Sequence, residues 1–345
     1  MYESLHSIMR DSSLSIVIVV YYNEVDLVNC IRSLYEFLPT DLFDLIVVSN
    51  GFDITEKSQL LITFPLVYWI DMGYNAGFAR ANNEGIKVAT GEAVLLLNPD
   101  TIATDQSVKN CFKRLINSNY AAAGVQLVDE TMRPQISGSY FVKGGLNHLL
   151  PIPYWGKFIR WIGYRTKTSI PNVQEAKPTQ EVDWISGAFL MVKRSAIDKA
   201  GLMDDDFFLY GEEVEWCSRL GTIGKLVLFG DLKIIHLEGT TINKSQELQE
   251  KGYYNLYDKK GLQLMVSNHL RVRKQYGVTW FLVLLLNYTF GCFIFILFSG
   301  LRRFFGDKKF PGEMEKAFAF CKNVIRLWKL APTIIRNKPH FYKMF

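Results

Sequence analysis

Three groups of residues in this 345-residue chain combine types and positions that could do chemistry. Asn98-Pro99-Asp100 directly follows the apolar run Glu92 to Leu97 (EAVLLL). A carboxylate at the end of a buried strand can hold a hard divalent cation against phosphate oxygens, although Asn-Pro-Asp also makes an ordinary turn. Glu212, Glu213 and Glu215 stand around the start of an expected helix, after Phe207-Phe208-Leu209-Tyr210-Gly211. Carboxylates there can take a proton from a substrate or simply answer the helix dipole. His236 closes the apolar run LKIIH, a position suited to a ligand or to a half-buried structural imidazole.

The elements that must position these groups read as an α/β alternation. Leu14 to Tyr22 (LSIVIVVYY) is a nearly unbroken β-branched run, the composition of a strand buried on both faces. Glu24 to Phe37 has apolar residues at helical spacing and Pro39 just beyond its end. Further strands are expected at Asp44 to Ser49, Leu66 to Ile70 and Glu92 to Leu97, with a helix at Ala79 to Ala89. Strands alternating with helices predict a doubly wound sheet. From Asp129 to Gln180 the pattern gives way to an aromatic- and proline-bearing stretch, read as long loops. Val182 to Lys193 reads as one strand, Ser195 to Ala200 and Glu212 to Leu220 as helices, and Lys225 to Phe229 and Lys233 to His236 as two strands. The first turn, Tyr21-Tyr22-Asn23-Glu24, has no glycine, which argues against a G-x-G-x-x-G dinucleotide enzyme, and no P-loop motif occurs.

Apolar residues make up 49% and charged residues 21% of the chain, with a formal charge of +5. The apolar excess lies after residue 275. No nucleic-acid-binding motif is present, so nucleic acid is not an expected partner. Five widely spaced cysteines without a C-x-x-C pair fit a reducing compartment and no zinc site. Met1 to Asp11 carries no apolar h-region, so the catalytic part is expected to be cytosolic. No charge occurs between Lys274 and Arg302, and Val278 to Phe298 could cross a hydrocarbon core of ~30 Å. Yet Arg271, Arg273 and Lys274 precede that run, and Arg302, Arg303, Lys308 and Lys309 follow it. The positive-inside rule wants both ends cytosolic, as a re-entrant or in-plane arrangement would allow. Phe318 to Leu330 (FAFCKNVIRLWKL) mixes aromatic and basic residues as interfacial helices do.

Taken in order, Ser15 to Asn23 (SIVIVVYYN), Asn75 to Gly85 (NAGFARANNEG), Leu95 to Thr101 (LLLNPDT), Ser186 to Phe189 (SGAF), Phe207 to Glu215 (FFLYGEEVE) and His236 form one series. The series resembles the family 2 glycosyltransferases of the GT-A fold, over about Ser15 to Thr241. It looks similar to the rhamnosyltransferase-like members that build bacterial O-antigen and other surface polysaccharides. The resemblance implies an α/β GT-A fold, a mixed, mostly parallel sheet flanked by helices, with a C-terminal membrane-associated helical region. The expected division is a catalytic domain at 1–245 and a helical region at 246–345 containing the membrane-associated segment 278–299.

The resemblance further implies an inverting transfer of a sugar, with rhamnose on deoxythymidine diphosphate as the expected donor, to a lipid-linked oligosaccharide or other glycan acceptor. The expected place is the cytoplasmic face of the bacterial inner membrane, with membrane lipid as a further partner. Tyr22, Asn23, Glu24, Asn50, Asn75, Gly77, Phe78, Arg80 and Asn98 become nucleotide-sugar-binding candidates. Arg80 would neutralise phosphate charge. Asp100 and His236 become ligands of a divalent metal, Mn2+ or Mg2+, Glu213 the catalytic base, and Glu212 a residue orienting the acceptor. Glu215 is expected to pair structurally. This sequence has Asn98 where the family's Asp-x-Asp motif begins, Ser49 where many relatives carry aspartate, and Glu213 in place of aspartate. The substitutions at 98 and 213 keep open an alternative, a catalytically inactive sugar-nucleotide-binding or scaffold protein at the membrane. A nucleotidyltransferase is disfavoured because Tyr21 to Glu24 lacks a glycine-rich basic loop.

Overall fold

The structure, a computed structural model, describes residues 13–51, 54–165, 171–237, 255–305 and 312–345. Met1 to Asp11, Lys308, Lys309, the expected boundary at 245 and the end of the family-like region at Thr241 lie outside the described residues. The chain forms two compact units. One comprises Met1–Tyr140, Asn172–Asp204 and Glu213–Leu248, the other Phe141–Pro171, Asp205–Glu212 and Gln249–Phe345.

The first unit begins with β1 (Leu14–Val20), α1 (Glu24–Phe37), β2 (Phe43–Ser49), α2 (Ile54–Thr63), β3 (Val67–Asp71), α3 (Gly77–Val88) and β4 (Ala93–Leu97). It continues through β5 (Thr101–Ile102), α4 (Ser107–Ile116), β6 (Ala122–Val128) and β7 (Gly138–Ser139). The excursion into the second unit contributes a 3-10 segment (Lys143–Leu149) and α5 (Trp155–Arg165). The chain then returns with β8 (Asn172–Val173), β9 (Gln180–Val182), β10 (Trp184–Ile185), β11 (Phe189–Lys193), α6 (Arg194–Ala200), α7 (Glu212–Ile223) and β12 (Leu226–His236). The second unit ends with α8 (Lys259–Tyr276), α9 (Val278–Phe304) and α10 (Glu313–Arg336).

Among the described residues the main sheet has nine strands, in the order β3-β2-β1-β4-β11-β6-β12-β5, with β9 also paired to β12. It is mixed. β3, β2, β1 and β4 run parallel, β11 is antiparallel to β4, and β6 and β12 run parallel. Leu14, Ile16, Val17, Ile18 and Val20 of β1 are all buried, so both faces of that strand are covered, as its β-branched run requires. On one face α3 approaches closely: a Cβ at Gly85 would fall 2.4 Å from Val17 Cγ1. That approach brings the N-terminal turn of α3 to the carboxyl ends of β1 and β2, where α/β sheets bind ligands.

Four expectations change. α2 occupies Ile54–Thr63, where no element was expected between the second and third strands. The supposed long loops contain the 3-10 segment and α5. α5 has its apolar residues at 155, 158, 159, 161 and 162, a helical spacing obscured in the sequence by Pro151 and Pro153 just before it. The single strand expected at 182–193 is three, because Ser186-Gly187-Ala188 leaves the ladder. There Phe189 N donates to Ser186 O (3.2 Å) and Ala188 N to Ser186 Oγ (3.3 Å). The two strands expected at 225–236 are one, β12, whose register against β6 shifts between Phe229 and Lys233. Among the described residues one helix, α9, is long and apolar enough to cross a membrane by length and composition.

Candidate active site

The buried strand β4 delivers Asn98-Pro99-Asp100 to the carboxyl edge of the sheet, and a tight turn fixes it there. Thr101 Oγ1 donates to Asn98 O (2.7 Å), and Thr101 N donates to the same oxygen (3.3 Å). The two-residue strand β5 pairs antiparallel with the end of β12, with Thr101 opposite His236. This ladder sets Asp100 beside His236, with Asp100 Oδ1 3.5 Å from His236 Nε2. Leu237 N donates to Asp100 O (2.9 Å), which closes the ladder past the histidine.

Asp100 is buried, and its Oδ1 has no hydrogen-bond partner among the described residues. A buried carboxylate oxygen left this way costs free energy unless something else meets it. His236 is turned toward it by Gln135: the imidazole Nδ1 lies 3.1 Å from Gln135 Oε1, and Gln135 Nε2 donates to His236 O (3.0 Å). With Nδ1–H donating to the amide oxygen, the lone pair of Nε2 points at the carboxylate. An outer partner that fixes the tautomer and ring plane of a ligating histidine has this arrangement. One carboxylate oxygen and one imidazole nitrogen suit Mn2+ better than Mg2+, which prefers all-oxygen surroundings. Among the described residues no group of three or more His, Cys, Asp or Glu forms a complete protein cage.

A second set of candidates converges on Gly187. Asn98 N donates to Ala188 O (3.1 Å), which ties the end of β4 to the loop before β11. At Gly187 a Cβ would lie 3.4 Å from the Phe78 ring and 3.6 Å from Glu213 Cγ. The start of α3 and the start of α7 therefore meet the same loop, with room at 187 for a methyl group and little more. Alanine fits those distances, but valine does not without moving one neighbour. Gly187→Val is expected to lower kcat/KM on the order of 10²-fold by displacing Glu213 by up to about 1 Å. Gly187→Ala stays near the parent value, and steady-state kinetics of both variants checks this.

Glu213 is half-buried on the first turn of α7. Its neighbour Glu212 is buried and falls within the second unit. Glu215 is committed elsewhere, as expected: Arg219 grips it through Nε to Oε1 (2.8 Å) and Nη2 to Oε2 (2.7 Å), and passes Nη1 to Ala200 O (2.6 Å). Burial pushes the thiols of Cys217 and Cys30 up to about 12. Neither offers a thiolate nucleophile near neutral pH.

The remaining candidates line the ends of β1 and β2. Tyr22 is 65% exposed and holds a left-handed backbone (φ 46°), which presents its ring against Gly51. A bulky residue at positive φ is uncommon and concentrates at ligand sites. Asn23 is buried and donates Nδ2 to Asp26 Oδ2, so it anchors the start of α1, where Glu24 is half-buried. Asn50 spends its amide on backbone: Nδ2 donates to Gly77 O (3.1 Å), and Ala76 N donates to Oδ1 (3.2 Å). Asn75 Oδ1 accepts from Gly77 N (3.1 Å), which completes the turn into α3 and its half-buried Phe78 and Arg80. Asn50 thus shapes the Asn75–Gly77 turn. Asn50→Ala is expected to leave two buried backbone groups unpaired, at about 1–3 kcal/mol. A lower thermal midpoint together with a donor KM raised about tenfold would reveal it.

Sequence reasoning missed Gln135. It lies in the stretch read as loop, and nothing in its neighbourhood marks it, because its role depends on β12 returning 101 residues later.

The family model described as glycosyl transferase family 2 matches residues 15–165. Residues 15–165 are thus similar to glycosyl transferase family 2. Over 217 residues it is 27% identical to the low-salt glycan biosynthesis hexosyltransferase of Haloferax volcanii, covering 60% of this chain and 61% of that protein. Over 200 residues it is 32% identical to an N-acetylglucosaminyl-diphospho-decaprenol L-rhamnosyltransferase of Mycobacterium tuberculosis, covering 54% and 63%. The chain thus spans about three fifths of the length of these relatives. Among solved structures, a mannosyltransferase of Pyrobaculum calidifontis, in complex with GDP-Man and Mn2+, superposes with a TM-score of 0.50. That match has 12% identity and covers 94% of this chain and 88% of the other. The chain has a GT-A-like α/β fold, a mixed sheet flanked by helices.

Proposed function

We propose that this chain is an inverting glycosyltransferase. In this reading it moves a sugar, with rhamnose first among the candidates, from a nucleoside-diphosphate sugar to a lipid-linked or other glycan acceptor in cell-surface polysaccharide synthesis. The observation that carries the reading is the Asp100–His236 pair, a buried carboxylate oxygen facing an imidazole nitrogen aimed by Gln135. The two relatives named above, one of them a rhamnosyltransferase whose name includes a decaprenol-linked acceptor, support the substrate classes.

In this mechanism the nucleotide lies along the carboxyl ends of β1, β2 and β4. Tyr22, the Asn75–Gly77 turn and Asn98 border the donor, and Arg80 offsets diphosphate charge. A divalent cation, Mn2+ by its donor set, would be held by Asp100 and His236 and would stabilise the charge that develops on the leaving diphosphate. Glu213 accepts the proton of the acceptor hydroxyl as that oxygen bonds to the anomeric carbon. The bond from the anomeric carbon to the diphosphate breaks with its electron pair leaving on the phosphate oxygen. One displacement inverts the configuration. Glu212 orients the acceptor. The catalytic domain comprises residues 1–245, and the C-terminal helical region contacts membrane lipid through segment 278–299, at the cytoplasmic face of the cell membrane.

The test is to incubate the full chain and Mn2+ with a panel of nucleoside-diphosphate sugars and a polyprenyl-diphosphate glycan, following nucleoside diphosphate release and the glycan product. Transfer from one donor, with inverted anomeric configuration in the product, is expected. Donor binding without transfer to any acceptor would favour the scaffold alternative.

A further inference from the structure

The helical unit carries an apolar surface that α9 does not form alone. The exposed apolar residues of α9 include Leu282, Leu286, Phe290, Phe293, Leu297, Leu301 and Phe304, with Ile296 and Phe298 on its flanks. Their steps of three and four residues draw one stripe down a helix of 27 residues, about 40 Å long at 1.5 Å per residue. The opposite stripe, including Phe281, Leu284, Leu285, Tyr288 and Phe295, is buried against protein. Tyr288 on that face donates its hydroxyl to His148 O (2.9 Å).

α5 extends the exposed stripe on one side. Trp155 Nε1 donates to Asn287 Oδ1 (3.0 Å), and its ring meets Phe290 edge-on at 4.9 Å. Phe158 stacks on Trp155, Trp161 stacks on Phe158, and the Arg165 guanidinium sits 4.1 Å over Trp161. Phe158, Trp161 and Ile162 are each more than two-fifths exposed, on one face of α5. On the other side Trp328 Nε1 donates to Thr289 Oγ1 (2.9 Å), and α10 presents exposed Phe318, Ile325 and Trp328 among Lys322, Arg326 and Lys329. Neither α5 nor α9 contains an acidic residue, and the acids of α10 lie in its first turn.

We infer that α5, α9 and α10 together form a monotopic face that inserts in the plane of a bilayer bearing anionic headgroups, and that α9 does not cross it. The inference rests on the membrane contact proposed above and makes it specific. If α9 crossed, α10, whose Trp328 is hydrogen-bonded to Thr289 near the middle of α9, would carry its exposed Lys322, Arg326 and Lys329 to hydrocarbon depth. Each such charge costs about 2.5–3.5 kcal/mol even on insertion scales. An in-plane α9 sets the basic residues of α5 and α10 at the level of the lipid phosphates, where each adds attraction. The aromatic run from Phe290 to Trp161 then lies at the interface, the depth that tryptophan prefers.

The experiment adds the full chain to sealed vesicles of phosphatidylethanolamine and phosphatidylglycerol, with phosphatidylcholine vesicles as comparison. Flotation is measured first. Thr279→Cys and Phe305→Cys, each in a Cys292→Ala, Cys321→Ala background, are then exposed to a membrane-impermeant thiol reagent from outside. Expected are flotation stronger with the anionic lipid, reaction at both cysteines, and partitioning reduced about tenfold by Trp161→Asp at an unchanged thermal midpoint. Flotation with only one cysteine reactive would show a crossing helix and overturn the in-plane face while leaving membrane contact intact. Flotation indifferent to Trp161→Asp would remove α5 from the face. Absence of flotation with both lipids, together with a dimer in sedimentation, would show the face covered by a second copy and overturn the membrane reading itself.

Discussion

Glu213→Gln is expected to abolish measurable sugar transfer while leaving donor binding within about twofold of the parent. The amide keeps the shape of the side chain on the first turn of α7 and its packing beside Gly187, but it cannot accept the acceptor's proton. General-base catalysis by a positioned side chain contributes about 10²–10⁴-fold, and in the proposed mechanism the loss falls on kcat because the base acts as the hydroxyl attacks. Glu213→Asp separates chemistry from geometry: it keeps the base, withdraws it by one methylene and is expected to retain part of the rate. The check is steady-state kinetics with a donor-binding measurement alongside. Unchanged turnover in Glu213→Gln would remove this residue from the mechanism.

The second large effect is expected at Asp100. Asp100→Asn preserves the turn, whose hydrogen bonds run through the backbone and Thr101 Oγ1, and removes the negative charge from the buried edge. Loss of one electrostatic stabiliser of a developing anion typically costs about 10²–10³-fold in kcat, or ~2.7–4 kcal/mol. Replacing His236 by alanine should have a smaller effect, and Gln135→Leu, which frees the imidazole to rotate, should weaken metal affinity about 10–100-fold. The graded order Asp100, then His236, then Gln135, read in metal titrations of turnover, distinguishes a ligand set from a structural polar pair. A structural pair would lower the thermal midpoint without changing the metal requirement.

How much of this was legible beforehand follows from the range of the interactions involved. β1, α1 and β4 were readable because burial on both faces, or on one helical face, writes a local pattern. The motif around Asn98 to Asp100 was readable for the same reason: it ends a buried strand. The pairing of β5 with β12 that joins Asp100 to His236 was not, because two residues make no periodic signal and their partner lies over 130 positions away. Gln135 escaped notice for that reason too. Gly187 was visible as part of Ser186-Gly187-Ala188-Phe189, but the meeting of Phe78 and Glu213 beside it, which limits the side chain there to a small one, is purely tertiary. α5 was hidden because an aromatic-rich helix after two prolines looks like a binding loop when its burial is unknown. Asn50 illustrates the opposite difficulty. The family resemblance made it a nucleotide-sugar-binding candidate, and its amide is spent on the backbone of the neighbouring turn.

The most direct measurement is the thermal midpoint of the full chain with a panel of nucleoside diphosphates, each with Mn2+ and again with chelator, in the parent and in Asp100→Asn. Ligand at 100 times its Kd stabilises the native state by about 2.7 kcal/mol, which corresponds to roughly 5–10 °C for a domain of this size. The predicted result is such a shift for one base, dependent on Mn2+ in the parent and absent in Asp100→Asn. A shift of the same size in Asp100→Asn, or one that persists in chelator, would contradict the Asp100–His236 site.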